Sequence, residues 1–203
     1  EFHQEFCAIA RKYGILYVAD EVQSGMGRTG KMFAMEHFGV APDIIALAKG
    51  IASGLPLGAM MAPARIMNWE AGSHASTFGG NPLACRAALA TIDLLEDSLM
   101  ANAGLQGERL MDGLRQLQGR FECMGDVRGK GLMVGVELVK DRERKAPAAD
   151  WRSRIIQRAF EKGLLILGCG QNSIRFCPAL TVSPDEIDVC LSIFEECVQE
   201  VAG

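Results

Sequence analysis

Apolar residues at Phe2, Phe6, Ile9 and Tyr13 recur at near-helical spacing and predict an amphipathic helix over residues 2–13, with Gly14 placed to cap it. The next apolar run, residues 15–19, is short and predicts a strand. The alternation then repeats: a short helix over 32–38, a buried strand over 43–48 and another over 58–62, joined by loops rich in Gly and Pro. Continuous apolar strands interleaved with helices predict an α/β fold with a mainly parallel sheet covered on both faces.

From Asn81 the pattern changes. Asn81 is a good N-cap and Pro82 a good first residue for a helix over 83–95, and Leu105, Leu110, Leu114 and Leu117 continue a second helical pattern. These helices are expected to bridge two domains. Beyond them, 121–127 and 131–139 read as paired strands, 150–162 as a helix stopped by Gly163, and 164–167 and 173–177 as two further strands. Ser183, Pro184 and Glu186 form a capping-box signature ahead of Ile187, Leu191, Phe194 and Val198, which predicts a closing helix. No internal repeat, low-complexity tract or flexible linker interrupts the chain.

Composition narrows the class of partner. The 203 residues are 49% hydrophobic and 23% charged, as in an ordinary globular protein. A net charge of -4 supplies no basic patch for a phosphate backbone, so nucleic acid is not expected as a partner. The longest apolar stretches, 44–48 and 55–64, are far too short to span a bilayer. Seven cysteines, at 7, 85, 123, 169, 177, 190 and 197, form an odd set without a Cys-x-x-Cys pair, which predicts reduced thiols in a cytoplasmic protein and no metal site. The chain opens without Met inside a segment that already reads as helix, as if an upstream part had been cut away.

Two segments carry the chemistry: Val18-Ala-Asp-Glu-Val-Gln-Ser-Gly25 and Asp43-Ile-Ile-Ala-Leu-Ala-Lys-Gly50. Each puts a charged residue, Asp20 or Lys49, at the carboxyl end of an apolar strand, where open α/β sheets place their ligands. Either residue alone could be a turn cap or a solvent-facing amine. As a pair they suit pyridoxal 5'-phosphate (PLP). Burial beside Ile44–Ala48 would leave Lys49 a neutral amine able to attack an aldehyde, and Asp20 would keep the pyridine nitrogen protonated. The released lysine could then carry the substrate proton as general acid and base. Gly25-Met-Gly-Arg-Thr-Gly30 also fits the dinucleotide fingerprint, but Asp-Glu-Val-Gln intervenes after its strand, the next helix is short, and no acidic residue follows at the required distance.

The stretch from Asp20 to Gly30 resembles the signature loop of the class III, or omega-amino-acid, aminotransferases of PLP fold type I, and Ala48–Gly58 resembles their lysine segment. The likeness continues through His74-Ala-Ser-Thr-Phe-Gly-Gly-Asn-Pro82, Arg128–Met133 and Ser173–Leu180, so it covers essentially the whole chain. The resemblance implies that residues 1–100 are the later part of a large PLP-binding domain and that 101–203 form a small α/β domain. It makes Lys49 the Schiff-base residue, Asp20 the pyridine partner, Val22 a side chain packed on the ring, and Gln23 a partner near the phenolic oxygen. Thr77 would bind the cofactor phosphate in the neighbouring subunit, implying a homodimer with shared sites, and Arg175 would clamp the substrate carboxylate. For Arg175 a structural ion pair is the alternative.

Met26, Arg86 and Ala179 depart from the family pattern, and its upstream half is not in this chain. The activity implied is transfer of an amino group from an omega-amino acid, of 4-aminobutyrate or acetylornithine/ornithine type, to 2-oxoglutarate, with the isolated chain inactive or nearly so. A racemase or aminomutase on the same scaffold, a non-catalytic binding module and a nicotinamide enzyme are the alternatives. If strands of the large sheet lie upstream, residues 1–100 should expose sheet edges and apolar faces.

Overall fold

The computed structural model describes all 203 residues, which divide into two compact units, Glu1–Met100 and Ala101–Gly203. In the first unit, helix α1 (Phe2–Lys12) ends where Gly14 takes φ 66° and Ile15 returns its N–H to the Ala10 carbonyl at 2.9 Å. That cap uses the backbone donor with which the predicted strand would begin. Strand β1 is accordingly only Val18–Asp20, three residues later than its apolar run. β2 (Ile44–Leu47) and β3 (Ala59–Met61) complete a three-stranded sheet in the order β1-β2-β3.

β1 and β2 are parallel, with Val18 opposite Ile44 and Asp20 opposite Ala46, whereas β3 runs antiparallel to β2. The sheet is thus mixed, and it is not covered on both faces by this chain. Of β1 only Ala19 is buried, β2 is half-buried up to Leu47, and all three residues of β3 are exposed. Phe2, Phe6, Ile9 and Tyr13 of α1 are exposed as well, as are Ile15, Leu16 and Val18. The helix predicted over 32–38 is a short 3-10 turn, Ala34–Phe38, closed by Gly39 at φ 62°. Helix α2 (Pro82–Leu94) begins as its cap predicts, with Asn81 Oδ1 accepting the N–H groups of Leu83 and Ala84 at 3.0 and 3.2 Å. A π-type turn, Leu95–Leu99, follows it.

The second unit is a self-contained α/β layer. Strands β4 (Met124–Lys130), β5 (Met133–Leu138), β6 (Leu167–Cys169) and β7 (Ser173–Phe176) form an antiparallel sheet in the order β4-β5-β7-β6. Along β5 the period of two is kept strictly, with Val134, Val136 and Leu138 buried. They pack with residues of α3 (Met100–Arg120), α4 (Ala149–Glu161) and α5 (Pro184–Ala202), among them Leu110, Leu114, Ile155 and Phe194. Phe194 meets Phe176 edge to face, ring centroids 5.1 Å apart. β6 starts three residues late for the same reason as β1: Gly163 (φ 86°) ends α4 and Leu164 gives its N–H to the Ala159 carbonyl. The predicted capping box is formed, Glu186 N–H to Ser183 Oγ at 3.2 Å and Ser183 N–H to Glu186 Oε2 at 2.8 Å. Exposed ion pairs join α4 to α5, Arg158 to Glu200 at 2.8 Å and Lys162 to Glu196 at 2.8 Å, and solvent screening leaves them a minor part of the stability.

One glycine in α3 sets how closely that helix lies on the sheet. A Cβ at Gly107 would fall 2.2 Å from the backbone carbonyl of Gly131, whereas a Cβ at Gly104 meets nothing within 4 Å. Gly107→Ala is therefore expected to lower stability by about 1–3 kcal/mol through overpacking. Gly104→Ala should raise it by up to about 1 kcal/mol through helix propensity. Urea unfolding of the two variants checks both signs.

Candidate active site

The parallel pairing of β1 with β2 puts the ends of both strands on one edge of the sheet. Asp20 closes β1, and the next residue extends the ladder, Glu21 N–H donating to the Ala46 carbonyl at 3.0 Å. Asp20 Oδ1 accepts the Val22 N–H at 3.0 Å, which bends the chain into a turn. Two residues beyond β2, Lys49 reaches that turn and its Nζ donates to Gln23 Oε1 at 2.8 Å. Asp20, Val22, Gln23 and Lys49 are therefore gathered along 20–23 and 49. The backbone of Lys49 is left-handed, φ 49°, after a fully extended Ala48. For a non-glycine residue that geometry costs about 1–2 kcal/mol, and such outliers cluster where a side chain must be aimed.

The apolar run before Lys49 does not bury it. Lys49 and Asp20 are exposed, Val22 and Gln23 half-buried, and the desolvation expected for the amine is not supplied by residues of this chain. Its environment is the Gln23 amide oxygen instead.

The turn itself closes on glycine. Gly25 N–H returns to the Glu21 carbonyl at 2.9 Å, and a Cβ at Gly25 would stand 2.8 Å from that oxygen and 3.3 Å from Leu47 Cδ2. Sequence reasoning passed over Glu21, which is 2% exposed and accepts the Met35 N–H at 2.9 Å and the Ser24 hydroxyl at 2.5 Å. The signal was available: neighbours on a strand alternate faces, so of the pair Asp20-Glu21 only one could face a ligand. Downstream, Gly27 (φ 81°) and Gly30 (φ 85°) turn the chain into the short 3-10 segment and not into a helix, so Gly25–Gly30 is not a strand-turn-helix phosphate cradle.

Thr77 lies in the exposed loop between β3 and α2, followed by Gly79 and Gly80, and no hydrogen bond joins it to Asp20, Gln23 or Lys49. In the second unit, Arg175 sits on β7 between Gly135 of β5 and Leu167 of β6. Its Nε is buried without a hydrogen-bond partner, and no acidic side chain of the chain pairs with it. The structural ion pair that would account for Arg175 is not formed. Elsewhere in that unit, a cavity of about 290 Å³ beside Phe176, Ile187 and Cys190 is largely apolar. Burial pushes the Cys190 thiol up to about 11, so it stays protonated at neutral pH.

Residues 1–198 match the family model of the class III aminotransferases. The chain belongs to that family. The likeness to a leucine/methionine racemase of Thermococcus litoralis is 46% identity over 95% of this chain and 44% of that protein. To a 5-aminovalerate aminotransferase of Pseudomonas aeruginosa it is 42% identity over 99% of this chain and 48% of the relative. Among solved structures, an amine transaminase from an uncultivated Pseudomonas species in its PLP-bound form superposes with TM-score 0.88 at 39% identity, covering 96% of this chain and 46% of that one. The chain spans about half the length of the curated relatives it matches.

Class III aminotransferases are PLP-dependent, and the residues present fit that group. A primary amine and a carboxylate stand at neighbouring strand ends. The Gly25 turn has no room for an added carbon against its own backbone. Gly25→Ala is expected to cost about 1–3 kcal/mol, read by urea unfolding. A second expectation concerns the thiols: iodoacetamide at neutral pH should alkylate exposed Cys85 well before Cys190, with mass spectrometry of timed digests as the measurement.

Proposed function

We propose that this chain provides the lysine-bearing part of a PLP-dependent aminotransferase that moves an amino group from an omega-amino acid, of 4-aminobutyrate or acetylornithine/ornithine type, to 2-oxoglutarate. The observation that carries the proposal is the arrangement of Lys49, Gln23 and Asp20 at the carboxyl edge of the β1-β2 pair. PLP, when bound, supplies an electron sink for the negative charge that develops on the substrate carbon. Lys49 would hold the cofactor through its amine and afterwards take and return the proton at the substrate carbon as general base and acid. Asp20 would keep the pyridine nitrogen protonated, Val22 would pack on the ring, and Gln23 would turn its amide toward the phenolic oxygen.

Thr77 is assigned to the cofactor phosphate and Arg175 to the substrate carboxylate, which a guanidinium fork matches in shape and charge. A homodimer with shared sites is part of the same reading, and seven cysteines without a disulfide support a cytoplasmic protein. The likeness to the Thermococcus racemase favours a second reading, a racemase using the same lysine, in which the proton returns to the opposite face and no oxo acid is consumed.

Titration with PLP, borohydride reduction and peptide mapping test the assignment on this chain. Label is expected at Lys49 above every other lysine and is expected to vanish in Lys49→Ala; label spread over surface lysines would refute a working lysine site. The isolated chain should turn over little or no substrate and elute as dimers or larger on gel filtration. In the full-length protein, glutamate formed from 2-oxoglutarate with an omega-amino donor, against loss of optical rotation from one amino acid alone, separates the two readings.

A further inference from the structure

Glu21 is a buried carboxylate for which the proposed reaction has no use. It is joined to the site through the turn it begins. Its two oxygens take donors from opposite sides, the Met35 N–H at the start of the 3-10 segment and the Ser24 hydroxyl inside the turn, while its carbonyl takes the Gly25 N–H. Its own N–H is the last rung of the β1-β2 ladder. Gln23 stands at the middle of the segment so fixed, and Gln23 is the one residue that holds the Lys49 ammonium. Burial of 98% for an acid is costly unless its hydrogen bonds offset that cost.

We propose that Glu21 is a positioning residue: it braces the Glu21–Gly25 turn against the Ala34–Phe38 segment, so that Gln23 presents Oε1 to Lys49 Nζ and sets where the amine stands. Its bearing on transamination rests on the reading above. The mechanical link from Glu21 through Gln23 to Lys49 does not.

The test uses the full chain as Glu21→Gln, Gln23→Ala and the double variant. Glutamine keeps the shape of Glu21 but turns an amide donor toward one of its two donors, so the brace fails on one side. Three readouts are taken: hydrogen exchange at the Met35 and Gly25 amides, competitive acetylation of Lys49 by acetic anhydride relative to Lys12, and the visible band that develops with PLP. Glu21→Gln should speed exchange at both amides. It should raise Lys49 acetylation about fivefold, the equivalent of one lost hydrogen bond, and should weaken the PLP band as Gln23→Ala does. In the Gln23→Ala background Glu21→Gln should add no further change at Lys49. Unchanged exchange and acetylation in Glu21→Gln would overturn the proposal, and so would effects of the two substitutions that multiply.

A wild-type chain that gives no PLP band refutes the functional reading alone, since exchange and acetylation still decide this one. If Glu21→Gln does not fold, Ser24→Ala removes one donor and leaves the acid in place. A smaller rise in Lys49 acetylation then supports the link, and no change refutes it.

Discussion

The parallel pairing of three residues of β1 with three of β2 is the constraint on which the site depends. In that register Asp20 lies opposite Ala46, so two chain segments twenty-odd residues apart leave the sheet at one edge and in one direction. An antiparallel pairing would send Asp20 and Lys49 to opposite ends of the sheet. The dipeptide after β1 then divides its labour by the pleat: Asp20 is exposed at the edge, and Glu21 is buried beneath the turn. Few residues do this work, and glycine at position 25 and a left-handed backbone at position 49 are what allow the turn and the lysine to meet.

The two units answer the same physical demand in different ways. The second closes its own core, with β5 alternating strictly and three helices covering one sheet, and its surface ion pairs are minor additions to that burial. The first leaves the exposed apolar residues of α1 and the outer sides of β1 and β3 without a partner strand or cover. Hydrophobic surface of that extent is the mark of a face made to be covered.

Much of this was legible in the sequence, and the exceptions have a common cause. Caps were read correctly at Asn81, Gly14, Gly163 and Ser183 because capping is a local event between neighbours. The strands that follow Gly14 and Gly163 were placed too early, because an apolar run shows where side chains are to be buried and not where the backbone is still occupied with ending a helix. The sheet was read as mainly parallel, and the run 58–62, which states no direction, supplies its antiparallel strand. At the candidate site, strand-end charge is the feature that singles out Lys49 and Asp20. Glu21 was missed because its partners are a backbone N–H fourteen residues away and a serine hydroxyl, neither of which leaves a compositional trace.

Lys49 offers a last consequence of its backbone. At φ 49° a glycine would sit without steric penalty and an asparagine with little, so polypeptide energetics taken alone argue for replacing the lysine. Lysine at that position sets this backbone cost against a side chain that reaches Gln23 Oε1 at 2.8 Å, and a residue with no such partner to meet would leave the main chain free to relax there.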